Sequence, residues 1–98
     1  MASKNNVVET RKIGLCTGVL VRLEHAPLIV ITARKGFVMC GYLNMEAAEK
    51  MGDAACMVRG VSSFEDALSA KVVKASAKAI ELGVREGQSG AEALEKLS

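Results

Sequence analysis

The sequence predicts an α+β fold, a two-layer sandwich in which an antiparallel meander and a fourth strand form one sheet and the helices pack on one face. The first half of the chain carries short apolar runs between turn residues, and the second half carries apolar residues at helical spacing between capping residues. The length of 98 residues, half of them hydrophobic, suffices for one domain with its own core. We therefore expect residues 1–98 to form a single domain, with the polar residues 1–6 as a mobile tail.

Alternating side chains and turn residues define the strands. Residues 28–33 and 36–44 are apolar on both faces, which indicates that something covers each face. Short connections, one of them containing Pro27, make the first strands an antiparallel meander. The meander is predicted from residues 19–23, 28–33 and 36–44 and the fourth strand from residues 54–61, with an edge strand in part of residues 7–15.

Capping residues define the helices. Asn44 is the predicted N-cap of the first helix, and Gly52 suits the position after its end. Ser62 and Glu65 have the spacing of a capping box, and Gly83 is the predicted terminator of the longest helix. The predicted helices are residues 45–51, 62–69, 71–82 and a last one that opens at a second capping box, Ser89 with Glu92.

Composition and charge exclude several function classes. The net charge of +2 comes from scattered basic residues, so we expect no nucleic-acid partner. Three cysteines, Cys16, Cys40 and Cys56, and the single His25 lack metal-ligand spacing, so we expect no metal, and no motif implies a cofactor. The chain begins without an apolar signal segment and has no run long enough to cross a bilayer. We therefore expect a cytoplasmic protein with no membrane partner.

The two central strands also predict an association state. Helices on one face of the sheet leave the other face open, although residues 28–33 and 36–44 are apolar on both. A chain of this size lacks the material to cover both faces by itself. Burial of the second face against another subunit is the simplest remedy, so we expect a homo-oligomer, in the simplest case a dimer.

Several short blocks follow one another in the sequence, namely residues 36–44, 48–53, 60–68, 81–84, 87–90 and 92–94. In this order they resemble the YunC-like family of small bacterial and archaeal proteins. The resemblance covers the chain from Ile13 onward, and Asn44 stands where some members have Asp. It implies a small α+β domain and a shared motif, but no reaction.

The stretch 36–44 also carries the candidate ligand site. A strand glycine often marks the close approach of a backbone or a ligand, and Asn44 opens a helix directly after the stretch. We therefore expect a binding or regulatory module that works as an oligomer, with a small-molecule ligand whose class the residues do not define. The predicted ligand-binding residues are Gly36, Cys40, Gly41, Asn44 and, from the fourth strand, Arg59.

Three alternatives stay open. In one, Gly87, Ser89 and Gly90 bind an anion before the last helix, although the loop lacks the Lys of a phosphate-binding loop. In another, the protein is an enzyme in which Cys40 is the nucleophile, activated by the helix that follows Asn44. In the third, it is a structural interaction subunit whose apolar sheet face binds a different protein.

Overall fold

Within residues 7–98, the part of the chain that the computed structural model describes, six strands form one sheet, and their order across the sheet is their order along the chain. The strands are β1 (Val8–Ile13), β2 (Cys16–Arg22), β3 (Pro27–Thr32), β4 (Phe37–Met39), β5 (Ala55–Met57) and β6 (Lys74–Ala75). The helices are α1 (Met45–Met51), α2 (Phe64–Ser69), α3 (Ala77–Glu81) and α4 (Gly90–Leu97). The tail predicted for residues 1–6 lies outside the described residues.

The strand pairing contains the predicted meander and adds a crossover. β1, β2, β3 and β4 are successive antiparallel neighbours. β5 lies parallel to β4, with Phe37 opposite Ala55 and Met39 opposite Met57, and β6 is antiparallel to β5. Parallel neighbours need a crossover connection, which α1 supplies. Because β4 and β5 run in the same direction, their carboxyl ends lie at the same edge of the sheet.

One face of the sheet, called the inner face below, packs against α2, α3 and α4. Ile31, Val38 and Cys56 of the strands join Phe64 and Leu97 of the helices in one apolar cluster. Each of these five residues is at most 1% exposed. Burial of a large apolar side chain contributes about 1.5–3 kcal/mol to the free energy of folding, so each of the large apolar members of this cluster stabilises the fold.

The opposite face, called the outer face, is covered by α1 over β4 and β5. Ala48 of α1 is buried there against Met39, Ala55 and Met57. The α+β sandwich is thus confirmed, but α1 packs on the face opposite the other three helices described. The crossover from β4 to β5 must pass over one face of the sheet. α1 lies in this crossover and packs on the outer face of β4, which is apolar.

Over β1, β2 and β3 the outer face carries a group of valines. Val8 lies opposite Val21, and Val19 lies opposite Val30, so the four side chains are neighbours. Val8 is exposed, the other three are half-buried, and none belongs to an apolar cluster of the described residues. These four residues are called the valine patch below.

Local capping chemistry was predicted well. Asn44 Oδ1 accepts the N–H of Ala47 at 3.0 Å, and Gly52 ends α1 with a φ of 78°, as expected. The capping box of Ser89 and Glu92 is also present. The capping box predicted for Ser62 and Glu65 is absent, because Ser63 is the N-cap of α2 and the Asp66 carboxylate accepts the N–H of Ser62 at 3.0 Å. The N-cap is followed three residues later by Asp66, whose N–H donates to Ser63 Oγ at 3.0 Å.

The prediction of one long helix over residues 71–82 was wrong. Its first part pairs with β5, since the Val73 N–H donates to Met57 O and the Ser76 N–H to Ala55 O, each at 2.8 Å. Only the second part is helical, as α3, with Ser76 as its N-cap. The apolar spacing was compatible with a helix, but hydrogen bonds to a free strand edge decided the structure of residues 74–75.

Candidate functional site

The parallel pair of β4 and β5 creates the candidate site. β4 ends at Met39, earlier than predicted, and a turn follows in which the Leu43 N–H donates to Cys40 O at 3.2 Å. β5 ends at Met57, and Arg59 follows two residues later. Clefts beyond the carboxyl ends of parallel strands are common ligand sites in α/β sheets. Here the turn from β4 and the extended segment from β5 end side by side.

An open cavity of about 630 Å³, called the β4–β5 cavity, lies at this edge. Its volume is within the range of small-molecule sites. Met57 forms a buried apolar part of the wall, and charged or polar side chains surround it. The lining residues are Gly41, Tyr42, Leu43, Asn44, Met45, Glu46, Glu49, Met57, Arg59 and Lys74.

Two basic side chains flank Met57. Lys74 is its partner in the β5–β6 pairing. Arg59 lies two positions beyond Met57, and Val58 between them is buried in the inner cluster, so Arg59 is on the outer side. Within residues 7–98 neither Arg59 nor Lys74 forms an ion pair or a side-chain hydrogen bond. Their hydrogen-bond donors are therefore available to a ligand.

The acidic residues of the cavity differ in their engagement. The carboxylate of Glu49 accepts the N–H of Ala77 at 3.0 and 3.3 Å, at the start of α3. This contact joins α1 to α3 across the cavity wall. Glu46 lies in the first turn of α1 and is exposed, without an ion pair to the residues described. The cavity thus carries its free negative charge on the α1 side and its free positive charges on the β5–β6 side.

Gly41 and Arg59 are neighbours, as the register of β4 and β5 requires. A Cβ on Gly41 would lie 3.6 Å from Arg59 Cγ and 4.0 Å from Arg59 Nε. In the described part of the chain the N–H groups of Gly41 and Tyr42 donate to no protein acceptor. The missing side chain therefore leaves this backbone accessible beside a guanidinium, as expected for a glycine at a ligand site.

The predicted site residues separate into two groups. Gly41, Asn44 and Arg59 line the β4–β5 cavity. Gly36 lies at the other end of β4, where a Cβ would be 2.2 Å from Ala54 O, so it serves close packing between strands. Cys40 adjoins the first group but lines a smaller cavity of about 250 Å³ with Ala26, Pro27, Gly41, Tyr42, Gly60 and Val61.

The sulfur of Cys40 is held inside the fold. The residue is 4% exposed, and the Ile29 N–H donates to its Sγ at 3.2 Å. His25 is in the exposed turn before β3, with its Nε2 3.9 Å from a carboxylate oxygen of Glu24. His25 does not line the cavity beside Cys40. Cys40 therefore has no base among the residues of that cavity.

We expect the cysteines of the native protein to resist alkylation. Cys16, Cys40 and Cys56 are all free and buried, and burial raises the pKa of Cys56 to about 12. A thiol that is buried and protonated reacts slowly, because the thiolate is the nucleophile. Mass spectrometry after iodoacetamide treatment should find little modification in buffer and three modified residues in denaturant. Rapid native labelling of Cys40 would instead support the nucleophile hypothesis.

In the loop before α4, the backbone N–H groups of the predicted anion-binding residues Gly87, Ser89 and Gly90 all donate to acceptors of the protein itself. The Gly87 N–H donates to Val72 O and the Gly90 N–H to Ala70 O, each at 2.9 Å. The Ser89 N–H donates to a carboxylate oxygen of Glu92, also at 2.9 Å. A carboxylate of the protein therefore already occupies the position that an anion would take.

Sequence reasoning missed several residues of the cavity wall. The sequence predicts a helix at Lys74, whereas the residue pairs with Met57 in the sheet. Ser76 is the residue that could have shown this, because serine is a favoured N-cap. A helix that begins after Ser76 leaves Lys74 outside it, where a strand is possible. The sequence predicts strand positions for Tyr42 and Met57 but no role in the site, whereas both line the cavity. Among residues 7–98, no group of three or more His, Cys, Asp or Glu side chains is arranged to hold a metal ion.

Comparisons with known proteins agree with this fold. The family model of a domain of unknown function, DUF1805, matches residues 39–97, a segment that contains every residue lining the β4–β5 cavity. The uncharacterized protein YunC of Bacillus subtilis (strain 168) is 31% identical over 85 residues, which cover 83% of this chain and 84% of YunC. A crystal structure of a protein of unknown function from Thermoplasma acidophilum has a TM-score of 0.84 and 41% identity, covering 93% of this chain and 91% of that one.

No helix of residues 7–98 is long and apolar enough to cross a membrane.

Proposed function

This chain belongs to the DUF1805 family, the YunC-like proteins, and we propose that it is an oligomeric ligand-binding or regulatory module whose small-molecule ligand lies in the β4–β5 cavity. The observation that carries the proposal is the group of unused donors at one edge of the sheet. Arg59 and Lys74 lack protein partners among the residues described, and they lie beside the accessible backbone of Gly41. Binding sites combine an apolar wall with a few convergent polar groups, and Met57 supplies that wall here.

The test is a thermal-shift screen of small metabolites against the wild-type protein and two variants of Gly41. Gly41→Phe fills the space beside Arg59 with a large side chain, whereas Gly41→Ala adds a single carbon at ordinary contact distance. At least one compound should raise the melting temperature of wild type and Gly41→Ala, and should leave Gly41→Phe unchanged. Compounds that stabilise all three proteins equally bind elsewhere, and they would contradict a site in this cavity.

The second part of the proposal is a homo-oligomer in which the valine patch meets another copy of the chain. Val19, Val21 and Val30 are only half-buried, and Val8 is exposed, on a part of the sheet that α1 does not reach. Apolar patches on a sheet face favour burial against a partner, and symmetric dimers are the commonest association of identical chains. A dimer is the simplest assembly that meets this need.

Placing a charge in the valine patch is expected to dissociate the oligomer. In Val30→Lys the ammonium would have to be buried between two copies, which is strongly unfavourable without a partner charge. Light scattering should give a multiple of the 10.3 kDa chain mass for wild type and a smaller mass for the variant. Ile80→Lys is the matched control, because Ile80 is 46% exposed on α3, on the inner side of the sheet, and its variant should keep the wild-type mass.

We also propose a cytoplasmic location. The three buried cysteines are free, which suits a reducing compartment, and the net charge of +2 arises from scattered side chains.

A structural interaction subunit is the competing function. A single sharp homo-oligomer from the purified protein would count against that alternative, whereas aggregation of the purified chain would support it.

A further inference from the structure

The distribution of charge around the β4–β5 cavity defines a ligand class. We propose that the ligand is a small organic carboxylate whose anionic group binds between Arg59 and Lys74 and whose apolar body lies against Met57. This inference rests on the proposed function, because it names the ligand of the same cavity. It also adds an orientation, with the anion on the β5–β6 side and away from α1.

The first step of the argument is the position of the two cations. Met57 and Lys74 are paired across β5 and β6, and Arg59 follows Met57 on the same face. Both cations therefore flank one apolar side chain. Arg59 presents a planar fork of donors that matches a carboxylate, and Lys74 adds a second positive charge. Within residues 7–98 no carboxylate is within ion-pair distance of either.

The second step is the separation of the negative charges. Glu49 is held by the N–H of Ala77, at 3.0 Å, so its carboxylate is already in use. Glu46 remains free but lies on α1, and it forms no ion pair with Arg59 or Lys74. An anionic group is therefore attracted to the strand side and repelled from the helix side.

The third step is the apolar wall. Met57 is 4% exposed and Leu43 and Met45 are half-buried, and all three line the cavity. Unbranched thioether side chains adapt to ligands of irregular shape. Such a wall offers nothing to an inorganic ion, so it favours an anion that carries a hydrocarbon group.

The test is a titration followed by the backbone amide signals of Gly41 and Tyr42 in ¹⁵N NMR spectra. The probes are 4-methylpentanoate, its uncharged amide, the amine of the same carbon skeleton, and inorganic phosphate, all at millimolar concentration. The carboxylate should perturb both signals, with an affinity at least tenfold above those of the amide and the amine. Its affinity should fall as salt is added, because both cations are exposed.

Three variants test which charged side chains of the cavity affect carboxylate binding, and a fourth variant is the control. Arg59→Gln should weaken carboxylate binding about tenfold or more, and Lys74→Gln should weaken it by a smaller factor, since the guanidinium binds through two hydrogen bonds. Lys78→Gln removes an exposed cation that does not line the cavity and should change nothing. Glu46→Gln should strengthen binding, because it removes the repulsive charge.

The outcomes separate this inference from the proposed function. If the amide or the amine binds at the same site as well as the carboxylate does, or if Glu46→Gln weakens binding, the cavity takes ligands but the carboxylate assignment is wrong. If phosphate binds as well as 4-methylpentanoate, the role of the apolar wall is wrong. If no probe perturbs Gly41 or Tyr42, the carboxylate assignment is overturned, and the thermal-shift screen with the Gly41 variants decides separately whether the cavity is a site.

Discussion

Gly36→Ala is expected to destabilise the protein by about 2–3 kcal/mol, the upper part of the usual range of about 1–3 kcal/mol for forcing an extra carbon into a packed interior. A Cβ at this position would lie 2.2 Å from Ala54 O and 2.9 Å from both Ala54 Cβ and Leu97 Cδ2. The oxygen cannot retreat without loss, because it accepts the N–H of Phe37 at 3.0 Å, next to the pairing of β4 with β5. The added carbon would therefore separate these two strands or displace α4.

Urea denaturation followed by circular dichroism measures this loss, and Gly41→Ala is the matched control. A Cβ on Gly41 would touch only the Arg59 side chain, at 3.6 Å, so the free energy of unfolding should change by less than about 0.5 kcal/mol. The two glycines occur in one stretch of sequence but differ in role. Equal losses in the two variants would contradict the assignment of Gly36 to packing and Gly41 to the ligand site.

The contrast between these glycines shows where sequence reasoning succeeded and where it stopped. Helix ends were predictable at Asn44, Gly52 and Ser89, because a cap depends on residues within one turn of the chain. The roles of Gly36 and Gly41 were not predictable. Each role depends on a neighbour that is distant in sequence, Ala54 for Gly36 and Arg59 for Gly41.

The same limit applies to the cavity. Gly41, Asn44 and Arg59 were predicted because they adjoin recognisable strand ends, and the structure places them together. Lys74 was missed because its segment has apolar residues at helical spacing, while its actual structure follows from hydrogen bonds to β5. The position of α1 on the outer face has a similar origin. It follows from the parallel pairing of β4 with β5, which the chain does not reveal locally.

Ser76→Ala should lower the free energy of unfolding by about 3 kcal/mol, because the hydroxyl of Ser76 serves three backbone groups. Ser76 is 1% exposed, and its hydroxyl donates to Asp53 O at 2.7 Å. The same oxygen accepts the N–H of Ala55 at 3.0 Å and the N–H of Ala79 at 3.2 Å. Alanine would leave the buried N–H groups of Ala55 and Ala79 and the partly buried oxygen of Asp53 without this partner. Each buried group without a partner costs about 1–3 kcal/mol before water or local movement compensates.

Ser63→Ala is the control for Ser76→Ala, because Ser63 is also an N-cap but serves one backbone N–H, that of Asp66. Loss of an ordinary cap costs about 1 kcal/mol, so the difference between the two variants measures the buried network. Ser76 joins the start of β5 to the start of α3, directly after Lys74 and Ala75 of β6. Ser76→Ala should therefore also weaken carboxylate binding at Lys74, while Ser63→Ala should leave it unchanged. Equal unfolding free energies for the two variants would mean that water replaces the buried hydroxyl.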